Sequence, residues 1–235
     1  MQLFYNPDIK ATDATFIFDS HESKHIIKVL RKKTGDQLWI TNGNGYLFEA
    51  KIIGDNIKKC EVELLSSKKT HLKSYWLHLA VAPTKMNDRF EWFLEKATEI
   101  GVDEITPIIC DRSERKVLKM ERMQRVLESA MKQSLQTYLP KLNNPISYSD
   151  FLEKPAAELQ FIAHCEDTER HELKRRVAAD KDITILIGPE GDFSPDEIKN
   201  AMKKGYSPVA MGKTRLRTET AAIVACTIIA TINNG

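Results

Sequence analysis

The sequence of 235 residues predicts an α/β protein with a mainly parallel sheet, preceded by a small β-rich module. Two observations predict this class. From about residue 74 onward, short apolar runs alternate with stretches of helical length, as βαβ crossovers require. Before about residue 68, short β-branched and aromatic runs follow one another with only turn-forming clusters between them. We therefore predict two domains, at residues 1–68 and 74–235.

The amino-terminal module is predicted to be a small barrel that contains one helix at residues 21–32, capped by Ser20. Basic residues recur on one face and at the end of that helix, namely Lys24, Lys28, Arg31 and Lys32. They favour contact with RNA, although runs of charge usually form an ordinary solvated face. The predicted strands are residues 3–5, 15–18, 37–41, 46–53 and 60–65, with turns at 42–45 and 54–56.

A polar segment at residues 66–71 has no periodicity and is predicted to be a linker. The alternating part then has predicted strands at 76–82, 104–109, 159–163, 183–187 and 209–211, and helices at 89–100, 117–138, 168–179 and 219–231. The β-branched run Ile183–Ile187 predicts a strand buried on both faces at the centre of a parallel sheet. Ser194 and Glu197 form a capping box with Pro195 at the first helical position, so another helix begins there.

Two glycine loops follow the last two predicted strands. The first glycine loop is residues 188–191, Gly-Pro-Glu-Gly, and the second glycine loop is residues 212–218, Gly-Lys-Thr-Arg-Leu-Arg-Thr. Ligands of open α/β sheets bind outside the carboxyl ends of the strands, so both loops should line one crevice. His164 and Glu166 follow the strand at 159–163 and belong to the same edge, with a buried structural histidine as the alternative for His164. This crevice is the predicted binding site.

Helical spacing predicts that Trp92, Phe93, Leu94 and Ile100 are core residues of the helix at 89–100. The last helix is apolar almost all round, from Ala221 to Ala230, and must be buried on more than one side. Burial within one subunit and burial in a homodimer both satisfy that requirement.

Charge, cysteines and termini exclude several classes of protein. Net charge is only +2, with 12 Lys and Arg against 9 Asp and Glu in residues 1–73, so the front is the basic end. The four cysteines are far apart in sequence, which suits neither a zinc ribbon nor a disulfide scaffold. We find no leader and no membrane span, and we expect a cytoplasmic protein. The run His21-Glu22-Ser23-Lys24-His25 matches a zinc hydrolase motif, which also needs a third ligand, a cleft and a substrate groove. The helix here lies in a domain of fewer than seventy residues and becomes cationic directly afterwards, so no metal is predicted.

The two loops, Ile187-Gly188-Pro189-Glu190-Gly191 and Met211 to Ala221, closely resemble the paired signatures of the ribosomal small subunit methyltransferase E family. The similarity covers nearly the whole chain and includes Lys96 to Val102, Arg112-Ser113, Gln133-Ser134 and His25 to Arg31. The chain departs from the family at Asp192, where many relatives have a third glycine, and at Leu135-Gln136, where many have Gly-Arg.

This resemblance implies a knotted SPOUT-class α/β domain after a PUA-like barrel, S-adenosylmethionine as cofactor, and a homodimer. It implies methylation of uridine N3 in the 16S RNA of the small ribosomal subunit. The implied cofactor-binding residues are His164, Glu166, Ile187, Gly188, Pro189, Glu190, Gly191, Met211, Gly212, Leu216, Arg217, Thr218 and Ala222. The implied RNA-binding residues are Lys24, Lys28, Arg31, Lys32, Arg89 and Arg112.

Arg217 and Glu219 are the predicted catalytic residues. Attack by uracil N3 requires loss of its proton and stabilisation of the charge left on the ring oxygens, which a cationic donor provides. The helix dipole lowers the basicity of a carboxylate at a helix start, so Glu219 is expected to orient Arg217 or the uridine and not to take the proton. A capping ion pair without a catalytic part is the alternative. The competing function for the whole chain is a noncatalytic dimeric RNA-binding protein, which has no need for two glycine loops at one sheet edge.

Overall fold

A computed structural model describes residues 2–166 and 170–234. The chain forms two compact units. The first unit comprises Met1–Leu72 and Met131–Leu139, and the second comprises Lys73–Ala130 and Pro140–Gly235. The structure therefore differs from two continuous domains at 1–68 and 74–235, because a short piece from the middle of the chain belongs to the first unit.

The first unit is built on a five-stranded sheet with the order β1-β3-β4-β5-β2. These strands are β1 (Leu3–Tyr5), β2 (Thr15–Ile17), β3 (Gln37–Thr41), β4 (Tyr46–Asn56) and β5 (Lys59–Lys69). β1 pairs with β3 in parallel, and the other neighbours are antiparallel. Phe4, Phe48 and Ile26 are among the fully buried side chains that form its core. The predicted β-rich module is thus present.

Three local predictions for the first unit are wrong. β5 continues to Lys69 and pairs with Tyr46, so the expected linker at 66–71 is mostly strand. The expected turn at 54–56 is strand as well. The helix is shorter than expected: α1 (Ser20–Lys24) is capped by Asp19, not Ser20, and continues as one π-helical segment, His25–Val29. It ends before Arg31, which adopts a left-handed backbone with φ 57°.

The returning segment, Met131–Leu139, is fastened to the first unit by its backbone. Thr137 O accepts hydrogen bonds from Gly45 N at 2.9 Å and from Thr41 Oγ1 at 3.2 Å. Leu139 N donates to Gly43 O at 2.9 Å, and Tyr138 OH donates to Thr70 O at 3.0 Å. These bonds satisfy backbone groups of Gly43, Gly45 and Thr70 at one end of the sheet of the first unit.

The second unit has an eight-stranded sheet in which every pairing is parallel. Its order is β11-β13-β10-β12-β6-β7-β8, with β9 also paired to β7. The strands are β6 (Leu77–Val81), β7 (Glu104–Ile109), β8 (Lys141–Leu142), β9 (Ile146–Ser147), β10 (Leu159–Ala163), β11 (His171–Glu172), β12 (Ile183–Ile187) and β13 (Ser207–Ala210). All five residues of β12 are buried, as predicted for a central strand.

The helices on this sheet are α2 (Asn87–Ile100), α4 (Tyr148–Leu152), α5 (Pro195–Lys203) and α6 (Thr218–Asn234), and α3 (Met120–Gln133) leads into the returning segment. Ser194 and Glu197 form the predicted capping box at the start of α5. α3 is shorter than the predicted helix at 117–138, because Leu135 adopts φ 59° and terminates it.

The predicted helix at 168–179 is wrong over the part that the structure describes, and its first two residues lie outside that part. His171 and Glu172 instead pair with β13, and a single 3-10 turn, Leu173–Arg175, follows. The segment is rich in helix-forming residues, but propensity is a weak preference that ladder hydrogen bonds override. Within the described residues, none of the helices has the length and apolar character that a membrane span needs.

Candidate functional site

A pocket of about 460 Å³ lies at the carboxyl ends of β10, β12 and β13, and we call it the glycine-loop pocket. Both glycine loops line it, as their positions after β12 and β13 predict. Its walls are Ala163, His164, Cys165, Arg170, Ile187, Gly188, Pro189, Glu190, Gly191, Asp192, Val209, Ala210, Met211, Gly212, Thr214, Arg215, Leu216, Arg217, Thr218 and Ala221. The volume falls within the range of pockets that hold small organic ligands.

The first glycine loop is held from outside by two neighbouring loops. Arg112, after β7, donates from Nη1 to Gly191 O at 2.9 Å and to Phe193 O at 3.3 Å. Glu190 Oε1 accepts from the backbone N–H of Lys85, in the loop after β6, at 2.9 Å. The carboxyl-end loops of three adjacent strands therefore fix one another.

The backbone of Asp192 suits the glycine that the family resemblance predicts at this position. It adopts φ 62°, a left-handed conformation that glycine takes freely and that aspartate tolerates better than most residues. The side chain is also used: Oδ2 accepts from Cys165 N at 2.7 Å, and Oδ1 accepts from Phe193 N at 2.9 Å. Asp192 thus keeps the loop shape of a glycine and adds a link to the loop after β10.

The glycines differ in what surrounds them. A Cβ at Gly188 would lie 3.1 Å from both the backbone nitrogen and the ring of Phe193, so only glycine fits without a shift. A Cβ at Gly212 would meet nothing within 4 Å, but its φ of 156° is unfavourable for any other residue. One buried hydrogen bond joins the two loops, because Thr218 Oγ1 donates to Gly188 O at 2.9 Å.

His164 is a buried polar side chain of the pocket wall, with 4% of its surface exposed. Neither ring nitrogen has a hydrogen-bond partner among the described residues. Burial and the nearby charge of Arg170 lower the pKa of His164, while Asp192 and Glu166 oppose that shift. A neutral imidazole offers one donor and one acceptor, so a ligand can satisfy both nitrogens.

Arg217 and Glu219 lie together at the start of α6 but have different surroundings. Arg217 is exposed and lines the pocket, and its carbonyl accepts from Ala221 N at 2.8 Å. Glu219 is 6% exposed, and its Oε1 lies 3.9 Å from Arg89 Nε. Among the described residues no ion pair joins Arg217 to Glu219, so the expected pairing is replaced by one with α2. The guanidinium of Arg217 is thereby left available to a ligand.

Two family models match the chain. Residues 71–230 match an RNA methyltransferase domain, and residues 18–65 match an RNA methyltransferase PUA domain. The ribosomal RNA small subunit methyltransferase E of Buchnera aphidicola is 32% identical over 92% of this chain and 88% of its own length. This chain belongs to the ribosomal RNA small subunit methyltransferase E family.

Solved structures support the same assignment. A probable rRNA methyltransferase from Porphyromonas gingivalis is 39% identical, with a TM-score of 0.93 over 100% of this chain and 99% of that one. The methyltransferase E of Neisseria gonorrhoeae, solved with S-adenosyl methionine bound, is 26% identical, with a TM-score of 0.88 over 99% and 98% of the two chains. The predictions of a PUA-like domain before an α/β methyltransferase domain, and of S-adenosylmethionine as cofactor, are confirmed. The knotted path stays a prediction.

Most residues predicted for the methyltransferase E cofactor site line the glycine-loop pocket, but two do not. Glu166 is outside the wall, and Ala222 is fully buried while its neighbour Ala221 faces the pocket. Adjacent helical positions point about 100° apart, so Ala221 and Ala222 cannot both face the same wall. Sequence reasoning missed Arg170 and the side chain of Asp192, since no local pattern links them to the glycines.

The predicted RNA-binding residues fall into two groups. Lys24, Lys28 and Arg31 are exposed and Lys32 is partly exposed, all in the first unit. Arg112 and Arg89, in the second unit, are already engaged by Gly191 O and by Glu219. The described part of the chain contains no cluster of three His, Cys, Asp or Glu side chains that could hold a metal, and the side chain of His21 is almost fully exposed.

Proposed function

We propose that this protein transfers a methyl group from S-adenosylmethionine to N3 of one uridine in the 16S RNA of the small ribosomal subunit. The observation that carries the proposal is the glycine-loop pocket, which has unsatisfied polar groups on one wall and Arg217 at its edge. Membership of the methyltransferase E family supports the reaction and the RNA class. Attack by uridine N3 is the most specific part of the proposal.

The pocket residues fit this cofactor. The two unpartnered nitrogens of His164 offer hydrogen bonds to its polar groups, and the exposed backbone of the second glycine loop can follow an adenosine closely. We assign the cofactor contacts to His164, to the first glycine loop, and to Met211, Gly212, Leu216, Arg217 and Thr218. When bound, S-adenosylmethionine supplies an activated methyl group on a sulfonium, which leaves as a neutral thioether.

The protein's own part in the reaction is positioning and charge stabilisation. In-line transfer requires N3 to lie just beyond van der Waals distance of the methyl carbon, with the bond to nitrogen forming as the bond to sulfur breaks. The N3 proton is released to water. Arg217 stabilises the negative charge that its loss leaves on the ring oxygens, because fixed donors in a partly dry site stabilise developing charge strongly. Glu219 holds Arg89 beside the same site.

The first unit is proposed to bind RNA through Lys24, Lys28, Arg31 and Lys32, whose exposure allows phosphate contacts. A homodimer is proposed through α6, since Ile223, Val224 and Ile228 keep partly exposed apolar side chains within this chain. An rRNA substrate would place the reaction in the cytoplasm. A noncatalytic RNA-binding protein would not need the unsatisfied nitrogens of His164 or an available guanidinium at Arg217.

Substitution of Arg217 tests the proposal. Arg217→Ala should lower the single-turnover rate of 16S RNA methylation on the order of 100-fold to 1,000-fold. Arg217→Lys should lower it more than about tenfold, because lysine keeps the charge but loses the planar fork. Affinity for S-adenosylhomocysteine, measured by calorimetry, should fall far less than the rate, because the other pocket residues keep their contacts with the cofactor.

Lys213→Ala is the matched control, because Lys213 is an exposed cation of the same loop that does not line the pocket. If Arg217→Ala is as active as Lys213→Ala, or if its whole loss lies in cofactor affinity, Arg217 is a pocket residue only. A wild-type protein that binds the cofactor but leaves small-subunit RNA unmodified would contradict the proposed reaction itself.

A further inference from the structure

A second pocket adjoins the glycine-loop pocket and shares part of its wall. We call it the Trp92 pocket; its volume is about 660 Å³. It is lined by Asp88, Arg89, Trp92, Arg215, Leu216, Arg217, Glu219 and Thr220. Arg215, Leu216 and Arg217 line both pockets. A ligand here would therefore meet the bound cofactor across the end of the second glycine loop.

Trp92 departs from the core position that helical spacing predicts for it. Its neighbours Phe93 and Leu94 are fully buried, but 44% of Trp92 is exposed, on the side of α2 that lines the pocket. A partly exposed tryptophan at the wall of a pocket is a platform on which a flat ring can stack. Nucleobases stack on such side chains whatever their sequence.

The Trp92 pocket lies where two helices begin. α2 begins at Asn87 and α6 at Thr218, and the first turns of both contribute to the wall. Met86 provides no side-chain cap for α2, but the acidic Asp88 of its first turn accepts from Arg89 N at 3.0 Å. The wall therefore carries two carboxylates, Asp88 and Glu219, against the three arginines Arg89, Arg215 and Arg217. Arg215 and Arg217 add exposed positive charge. This combination favours an anionic, aromatic ligand such as a nucleotide.

Glu219 supplies an unsatisfied acceptor in the same wall. Its Oε2 is buried and accepts no hydrogen bond within the described residues. Its other oxygen lies 3.9 Å from Arg89 Nε, which is an ion pair but too long for a hydrogen bond. A buried carboxylate oxygen without a donor is costly, so the arrangement points to a donor that the ligand brings.

We propose that the Trp92 pocket binds the target nucleotide, with its base flipped out and stacked on Trp92 and its ribose 2′-hydroxyl donating to Glu219 Oε2. This inference rests on the proposed function and adds the substrate subsite to it. Enzymes that modify a base must take it out of its stack, and a flat aromatic surface beside the cofactor receives it. The shared residues 215–217 then face the edge of the base that reacts.

The choice of the 2′-hydroxyl follows from the donors that a uridine possesses. Within an RNA chain a uridine carries two hydrogen-bond donors, N3–H and the 2′-hydroxyl. The methyl group enters in the plane of the ring, along the direction of the N3–H bond, so no carboxylate can occupy that direction during transfer. The ribose hydroxyl is the donor that remains for Glu219.

Trp92 is tested by comparing its variants with those of an equally exposed tryptophan. Trp92→Leu should lower the kcat/KM for methylation of unmodified small subunits on the order of 10-fold to 100-fold, since base stacking is lost. Trp92→Phe keeps a ring and should stay within about threefold. Trp76→Leu is the control, because Trp76 is 41% exposed in the same unit but lines neither pocket. Calorimetry should give unchanged cofactor affinity for all three.

If Trp92→Leu turns over like Trp76→Leu while the wild type is active, the subsite is wrong and the proposed function stands. If the wild type itself modifies no small-subunit RNA, the proposed function fails. Light scattering on each variant tests whether a second copy of the chain, and not RNA, covers Trp92. A change from dimer to monomer in Trp92→Leu would assign Trp92 to a contact with a second copy of the chain and overturn the proposal.

Glu219 is tested by pairing its substitution with removal of the hydroxyl. With S-adenosylhomocysteine present, the wild type should bind uridine monophosphate roughly tenfold more tightly than 2′-deoxyuridine monophosphate, as expected for a hydrogen bond to a charged group. In Glu219→Ala the two affinities should become equal. Equal affinities in the wild type, or an unchanged preference in Glu219→Ala, would overturn the role given to Glu219.

Discussion

The two glycine loops line one pocket but are held in different ways. The first glycine loop receives hydrogen bonds from Arg112 and Lys85, is tied to Cys165 through Asp192, and accepts from Thr218. The second glycine loop is exposed at Gly212, Lys213, Thr214 and Arg215, and residues 212–216 make no hydrogen bond to any other part of the chain that the structure describes. The first glycine loop is thus held by several hydrogen bonds from its neighbours, and the second is held by few.

This difference predicts which substitutions unfold the protein and which only disable it. A loop with many fixed contacts transmits a change to its neighbours, because packed interiors tolerate little added volume. An exposed loop with few contacts loses conformational freedom when a ligand binds and so lowers the affinity that its contacts could give. Three sets of variants test this difference.

The largest effect is expected at the glycines themselves. Gly188→Val forces branched atoms against the buried Phe193 and should lower the free energy of unfolding by about 3 kcal/mol. The valine side chain of Gly212→Val would meet open space, so this variant should lower the free energy of unfolding by only about 1–2 kcal/mol, because its backbone conformation is unfavourable. Urea unfolding measures both, and calorimetry should show that each loses cofactor binding. Equal destabilisation would end the distinction between the loops.

A smaller effect is expected at Asp192. Asp192→Ala loses both of the hydrogen bonds that the aspartate accepts and keeps an unfavourable φ. It should lower the free energy of unfolding by about 2–3 kcal/mol. Asp192→Asn retains an acceptor and tolerates the same backbone, so we expect a loss below about 1 kcal/mol. Asp192→Gly should fall between them. A thermal scan in which alanine and asparagine behave alike would show that the side-chain link is unimportant.

The smallest effect is expected at the arginines. Arg112→Ala removes the donor to Gly191 O and Phe193 O and should cost about 1 kcal/mol of stability. Arg215→Ala, in the second glycine loop, should change stability by less than about 0.5 kcal/mol. Urea unfolding of both variants without ligand makes the comparison. A larger loss from Arg215→Ala would show that the second glycine loop is more firmly held than its hydrogen bonds indicate.

Local patterns predicted the elements that local physics determines. The buried strand β12, the capping box of α5 and the position of both loops followed from β-branched runs, cap residues and strand ends. The contacts that fix the first glycine loop could not be predicted, because Arg112 lies 79 positions from Gly191. Helical spacing places Trp92 in the core, but the structure exposes it. Spacing shows which side of a helix faces inward and does not show how wide the buried face is. Asp192 and Leu135, which depart from the family resemblance, have positive φ angles of 62° and 59°, a backbone that favours glycine and that no local sequence pattern revealed.

The returning segment has a consequence for how the chain is made. The strands of the first unit are synthesised by residue 72, but Thr137 and Leu139, which bond to Gly45 and Gly43, are not yet present. At translation rates of 5–20 residues per second, roughly 3–13 s separate the two events. The backbone groups of Gly43 and Gly45 are therefore exposed to water while residues 73–130 of the second unit are synthesised. In a fragment that ends near residue 72, the same backbone groups would stay exposed to water permanently.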